Sequence, residues 1–229
     1  LKGLAFFGAI TASLSHEINN SLAVINELGG LIDDFLVAAD QGRPLDSDRL
    51  KNVVQRILAR VEEGKGHIEN LNRFAHSVDH PRLKLDAREP LQQVAALCQR
   101  FARLRKVELT LRLPDETLIV EGSSFDLQHV FYRCIEIVLG LSEQGGSVEV
   151  NIEQSDRGGL SIRLSGGQGG EIDEEMGSRL RFLRLLAEGL GGSLESAPES
   201  GGAISLRLLL PGALRPLTLG ADPVSLKEE

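Results

Sequence analysis

The segment "SLSHEINNSLAVI", residues 13–25, sets an imidazole, a carboxylate and two carboxamides at His16, Glu17, Asn19 and Asn20. A histidine becomes a nucleophile when an acceptor holds the proton on one ring nitrogen, which leaves a lone pair free on the other. Glu17 is placed either to be that acceptor or to be the base that removes the proton as attack proceeds. Asn20 falls one helical turn beyond His16, where a carboxamide can position a water or an incoming acyl phosphate. A solvated histidine among ordinary polar neighbours has the same spacing, so these residues alone do not decide between chemistry and surface.

The surrounding pattern dictates how they are held. Leu4, Phe7, Thr11, Leu14, Ile18, Leu22, Ile25, Leu28, Ile32 and Phe35 recur in steps of mostly three and four, a heptad seam on a long helix. At 100° per residue His16 points roughly 160–200° away from Leu14 and Ile18, hence outward. After Gly42, Pro44 and a cap at Asp46 or Ser47, the same spacing returns through Leu50, Val54, Ile57, Val61, Gly64, Ile68, Leu71, Ala75 and Val78. Two such helices form a hairpin too narrow to bury both stripes. Pairing of two copies into a four-helix bundle is the expected remedy, and a homodimer is expected on residues 1–80.

Beyond Pro81 the texture changes. "LKLD", "KVELTLRL", "TLIVEG", "SVEVNIEQ", "LSIRLS", "GSLESA" and "GAISLRLLLP" read as strands, and Ala87–Leu104, Ser123–Leu141 and Asp173–Leu190 as helices. The fold class expected is α+β and multidomain: the helical hairpin, then an α/β sandwich with helices on one face of a mixed sheet over 81–211. Residues 212–229 lack a sustained period and are expected to be a loose tail.

Composition bounds the function. A net charge of -8 over 229 residues argues against nucleic acid or an anionic membrane as partner. Cys98 and Cys134 lie in apolar helical patterns, where reduced, buried thiols and a cytoplasmic location are expected. "GLAFFGAI" is too short to span a bilayer, so no membrane insertion is expected of this stretch. The opening on Leu1 reads as the start of a fragment. His76 and His80, four apart, have the spacing of a zinc pair but fall at a helix end with no acidic or cysteine complement, His67 and His129 have no partner spacing, and no metal is expected; His129 reads as structural.

"HEINNSL" resembles the phosphoacceptor box of sensor histidine kinases, and the order of elements from about residue 4 to 211 is similar to theirs. The resemblance implies that His16 is the phosphorylated residue, Glu17 its acidic partner, and Asn20 a residue that assists dephosphorylation of a partner. It also implies a homodimer and a response-regulator receiver domain as partner. Ser21 stands where the family has proline, which relaxes a bend in the helix.

The resemblance further implies an ATP site, and here the residues depart from it. In "DLQHVFYRCIEIVLGL" Arg133 and Ile137 occupy the places of two asparagines, and Ile137 cannot offer magnesium an oxygen. In "SGGQGG" Gly166 replaces the aspartate that binds adenine and Gln168 the first glycine of the motif, with Gly170 at its end. Ser178–Phe182 run straight into a helix without a Gly-Leu-Gly-Leu loop. Arg133, Arg179, Arg181 and Arg184 read as solvated faces or ion pairs.

The reading expected is therefore a phosphorelay protein, a histidine phosphotransferase on a degenerate kinase scaffold. It would carry a phosphoryl group on His16 between receiver aspartates with little or no ATP binding and no cofactor. Two alternatives stay open: an active sensor histidine kinase using ATP and magnesium at a divergent site, and a pseudokinase that binds or dephosphorylates a response regulator.

Overall fold

A computed structural model describes residues 2–77, 82–155, 158–166, 173–198 and 204–217. The chain divides into two compact units, one Leu4–Ala75 and the other built on His76–Glu229.

The first unit is an antiparallel pair of helices, α1 (Lys2–Asp40) and α2 (Ser47–His76). Asp46 is the cap of α2: its Oδ1 accepts from the backbone N–H groups of Asp48 and Arg49 at 3.1 and 3.0 Å. With serine at 21, every residue of α1 keeps its N–H, and the helix runs unbroken through a position where proline would remove a hydrogen bond.

The seam inside the hairpin differs from the heptad reading. Phe6, Ile10, Ser13, Leu14, Ser21 and Leu28 of α1 are buried, with Val53 and Phe74 of α2, whereas Leu4, Leu22, Val54, Val61 and Ile68 are exposed. The seam is anchored by Phe74, whose ring meets Phe6 edge-on at 5.5 Å and stacks on Phe7 at 5.2 Å. Large rings fix which of two adjacent apolar stripes turns inward. The other stripe, which includes Leu22 (57% exposed) and Leu58 (62% exposed), is left without cover in the single chain.

The second unit is a mixed sheet under three helices. Its strands and helices are β1 (Leu83–Asp86), α3 (Arg88–Arg105), β2 (Glu108–Arg112), β3 (Ile119–Gly122), α4 (Ser124–Gly140), β4 (Ser147–Gln154), β5 (Leu160–Gly166), α5 (Glu174–Gly189), β6 (Ser193–Pro198) and β7 (Ile204–Leu210). The main sheet has the order β2-β4-β5-β7-β6, parallel between β2 and β4 and antiparallel elsewhere; β1 and β3 form a separate antiparallel pair. Period-two alternation puts Val148, Val150, Ile152, Ile162, Leu164, Leu206 and Leu208 on the covered face. Glu149 and Arg112 pair at the sheet's β2–β4 ladder.

Helix α4 starts where its sequence says it should, with Ser123 Oγ accepting from Asp126 N–H at 3.1 Å. Asp173 caps α5 in the same way, accepting from Met176 N–H at 2.7 Å. Helix α3 ends at Lys106 in the left-handed region, φ 55°, where its N–H and that of Val107 close onto Arg103 and Ala102 carbonyls.

The expected loose tail is docked as far as Leu217. Glu121 N–H donates to the Gly212 carbonyl and Leu214 N–H to the Glu121 carbonyl, both at 2.7 Å. Arg215 N–H reaches the Leu190 carbonyl at 3.1 Å, and Leu217 N–H reaches Asp126 Oδ2 at 3.1 Å. Leu214 fills the space over Gly122, where any Cβ would stand 2.7 Å from it. Backbone hydrogen bonds, which leave no periodic trace, hold this segment.

Candidate functional site

Helical spacing places the polar cluster of α1 on two faces. His16, Asn19 and Asn20 are exposed, His16 and Asn20 one turn apart on the same side. Ser13, Glu17 and Ser21, also four residues apart, line the inner face instead: Ser13 and Ser21 are buried and Glu17 is half-buried. The hairpin thus has a polar layer in its seam at the level of His16.

That layer meets α2 at Gly64 and His67. An added Cβ on Gly64 would lie 3.7 Å from Ser21 Cβ, so the helices approach closely there. One turn along, His67 Nδ1 stands 3.3 Å from Glu17 Oε2, with side chains only 21% and 17% exposed. Glu17 is therefore engaged across the hairpin as well as being the chain neighbour of His16. The sequence pattern assigns His67 nothing, because its partner lies 50 positions away and meets it only through the register of two helices.

The second candidate region lies on α4 and α5. Ile137 is 1% exposed and belongs to the core. Arg133 donates through Nη1 to Glu136 Oε2 at 2.7 Å, and its guanidinium lies 5.6 Å from the Tyr132 ring and 5.9 Å from that of Phe182. His129, 3% exposed, packs between Phe125 and Phe182 with ring centroids 6.2 and 6.3 Å away. Burial first, and the Arg133 charge second, push its pKa down to about 4, so the ring is neutral. Met176 of α5 closes on α4 at Gly140, where a Cβ would stand 3.1 Å from its methyl. Of these side chains Ile137 and His129 are buried in the core, and Arg133, Met176 and Phe182 are half-buried around them.

Gly166, at the end of β5, has φ 147°, and a Cβ there would sit 2.6 Å from the Ser147 carbonyl oxygen. Only glycine fits that backbone without rearrangement. Gln168 and Gly170 lie outside the described residues, as does His80. Arg179 pairs with Glu175 at 2.6 Å, and Arg181 and Arg184 are exposed. Cys98 and Cys134 are buried free thiols whose pKa values burial pushes up. Among the described residues no helix is long and apolar enough to cross a membrane.

No protein-family model and no curated protein matches the chain by sequence. Solved structures do resemble it. The catalytic domain of histidine kinase ThkA aligns over 59% of this chain and 100% of its own at 15% identity, TM-score 0.49. The Acinetobacter baumannii histidine kinase AdeS aligns over 86% of this chain and 97% of its own at 13% identity, TM-score 0.48. The mycobacterial sensor histidine kinase MprB aligns over 60% and 99% at 19% identity, TM-score 0.46. These are likenesses of chain path, at identities where the roles of residues do not transfer.

Proposed function

We propose that the chain is a dimeric phosphotransfer protein of two-component signalling, in which His16 carries a phosphoryl group between receiver-domain aspartates with little or no use of ATP. The observation that carries this reading is the contrast between an exposed His16–Asn20 face and an α4 that has become core. In the sensor histidine kinases that the sequence resembles, a magnesium–nucleotide complex is held by an asparagine at the place of Ile137 and an aspartate at the place of Gly166, and magnesium takes hard oxygen donors. Ile137 and Gly166 supply neither, and Arg133 is committed to Glu136 and two aromatic rings. Among the described residues, the side chains at these two places do not fit that group.

In the transfer step the lone pair of one His16 nitrogen forms the N–P bond while the P–O bond to the donor aspartate breaks. The bonding electrons leave on that aspartate as carboxylate, and the proton on the second ring nitrogen passes to Glu17. The donor's own metal neutralises the charge that develops, so the chain must mainly position His16. A long helix stiffened by a partner helix is a suitable mount.

The uncovered stripe of the hairpin supports the dimer. Val54, Leu58, Val61 and Ile68 share one face of α2, all exposed. Burying each side chain of this size gains about 1.5–3 kcal/mol, and a second copy of the hairpin offers the matching surface.

The test mixes the purified protein with a phosphorylated receiver domain. Labelling of the wild type and none of His16→Ala is the expected result, with no heat of binding for magnesium–ATP by calorimetry. Labelling from ATP alone would instead mark an active kinase. Stoichiometric receiver binding without labelling would mark a pseudokinase acting through Asn20.

A further inference from the structure

We infer that His67 is a positioning residue for the chemistry of His16: it holds the Glu17 carboxylate in place from the opposite helix. This rests on the reading of His16 as the phosphoacceptor.

The register of the hairpin makes the contact. Ser21 opposite Gly64 brings α1 and α2 together, and in antiparallel helices a step of four back on α1 meets a step of three forward on α2. Those steps land on Glu17 and His67, 3.3 Å apart. The apolar seam stops on either side of them, with Phe6, Ile10, Leu14 and Phe74 toward one end and Leu28 and Val53 toward the other. A polar layer in a packed seam gives up apolar burial, and this one stands level with His16.

A glutamate has three rotatable bonds, and a surface one is spread over many rotamers. With His67 Nδ1 3.3 Å from its Oε2 and only 17% of its side chain exposed, Glu17 has few other places for its carboxylate, a single residue from His16. With Glu17 as the base for His16 in the proposed step, His67 is the third group, the one that orients the base. The proton leaving His16 as the N–P bond forms then meets an acceptor already in position. Rotamer order is spent in folding and not at each turnover.

The experiment uses potassium phosphoramidate, a phosphoryl donor that needs no partner protein, with modification at His16 read by mass spectrometry. Here the P–N bond breaks and ammonia leaves, with the same proton passing from His16 to Glu17. His67→Leu is expected to slow the reaction about tenfold. His67→Asn, whose amide nitrogen stands where Nδ1 does, is expected to restore most of the rate. His67→Gln, whose nitrogen reaches one bond further, is expected not to. Glutamine is the better helix former, so a purely structural role for His67 would reverse that order. Glu17→Gln combined with His67→Leu should be no slower than Glu17→Gln alone, because the second residue acts through the first.

Circular dichroism melts identify variants that fail to fold, and the Asn and Gln pair, matched in polarity, then carries the decision. Wild-type rates in His67→Leu, or equal rates in the Asn and Gln variants, would overturn the inference. If the variant order holds with phosphoramidate while no phosphorylated receiver labels the wild type, the phosphorelay reading fails and the positioning role stands.

Discussion

Helix α4 buries thirteen of its seventeen residues, whereas α2, at thirty residues, buries two. Both carry apolar side chains at helical spacing, and the difference lies in what surrounds them. Helix α4 has α3 and α5 beside it and the sheet beneath it, so even His129, Gln128 and Asp126 are drawn inside. Helix α2 has one neighbour in its own unit, and much of its apolar surface stays open. The hairpin keeps His16 and Asn20 on an accessible face and leaves an apolar face of α2 uncovered. The α/β unit instead packs Ile137 and the other apolar side chains of α4 into its core.

The strongest way to break that contrast is to place an oxygen ligand on α4. Ile137→Asn puts a carboxamide at a position 1% exposed. Losing the apolar side chain and burying an unmatched amide should cost about 3 kcal/mol or more in urea unfolding, with no gain in magnesium–ATP binding. A tolerated asparagine that binds nucleotide would show that α4 can serve as a ligand helix.

The pH dependence sharpens the same point. In the folded protein His129 has a pKa of about 4 against an ordinary value of 6.5. Between those values the unfolded chain takes up a proton that the folded one refuses. Stability is therefore full above pH 6.5 and falls as pH drops toward 4, by up to about 3 kcal/mol. Burial of Asp126 raises its carboxyl pKa, which acts in the opposite sense: the folded state there binds the extra proton, and lowering the pH relieves a cost. His129→Phe, placed between Phe125 and Phe182, should flatten the acid limb of a stability–pH curve measured by denaturant unfolding.

The hairpin side of the comparison is tested by charge on its open stripe. Leu58→Glu with Ile68→Glu should convert the proposed dimer to monomer in sedimentation equilibrium, at about 2 kcal/mol of lost association per site. Helical content should fall much less than in variants of Phe74, whose ring holds the inner seam. The smallest expected effect is at Lys106, the non-glycine residue of α3's left-handed cap. Lys106→Gly should stabilise the α/β unit by about 0.5–1 kcal/mol in thermal unfolding and leave any activity of His16 unchanged.

Much of this architecture is legible in the amino-acid sequence. Ser123 followed by an apolar run marks the start of α4, Asp173 that of α5, and alternation in "SVEVNIEQ" and "LSIRLS" marks paired strands, because caps and strand periods are local. The outward direction of His16 follows from helical geometry alone. The choice of Val53 over Val54 for the inner seam is not legible there. Two apolar stripes one residue apart compete, and the Phe6–Phe74 contact settles it. The docking of Gly212–Leu217 escapes the pattern as well, since backbone groups of Glu121 and Leu190 and the side chain of Asp126 hold it.

By itself the amino-acid sequence determined which segments are helix or strand, which polar residues stand together on α1, and that Ile137 and Gly166 offer no side-chain ligand atoms. These are properties of residue type and of spacing within about one turn or one strand repeat. The tertiary structure alone decided that Glu17 faces His67, that His129 is neutral in an aromatic cluster, and that α2 is left largely uncovered. Each depends on residues brought together from distant parts of the chain, by interhelical register or by desolvation, and neither is written in the local pattern.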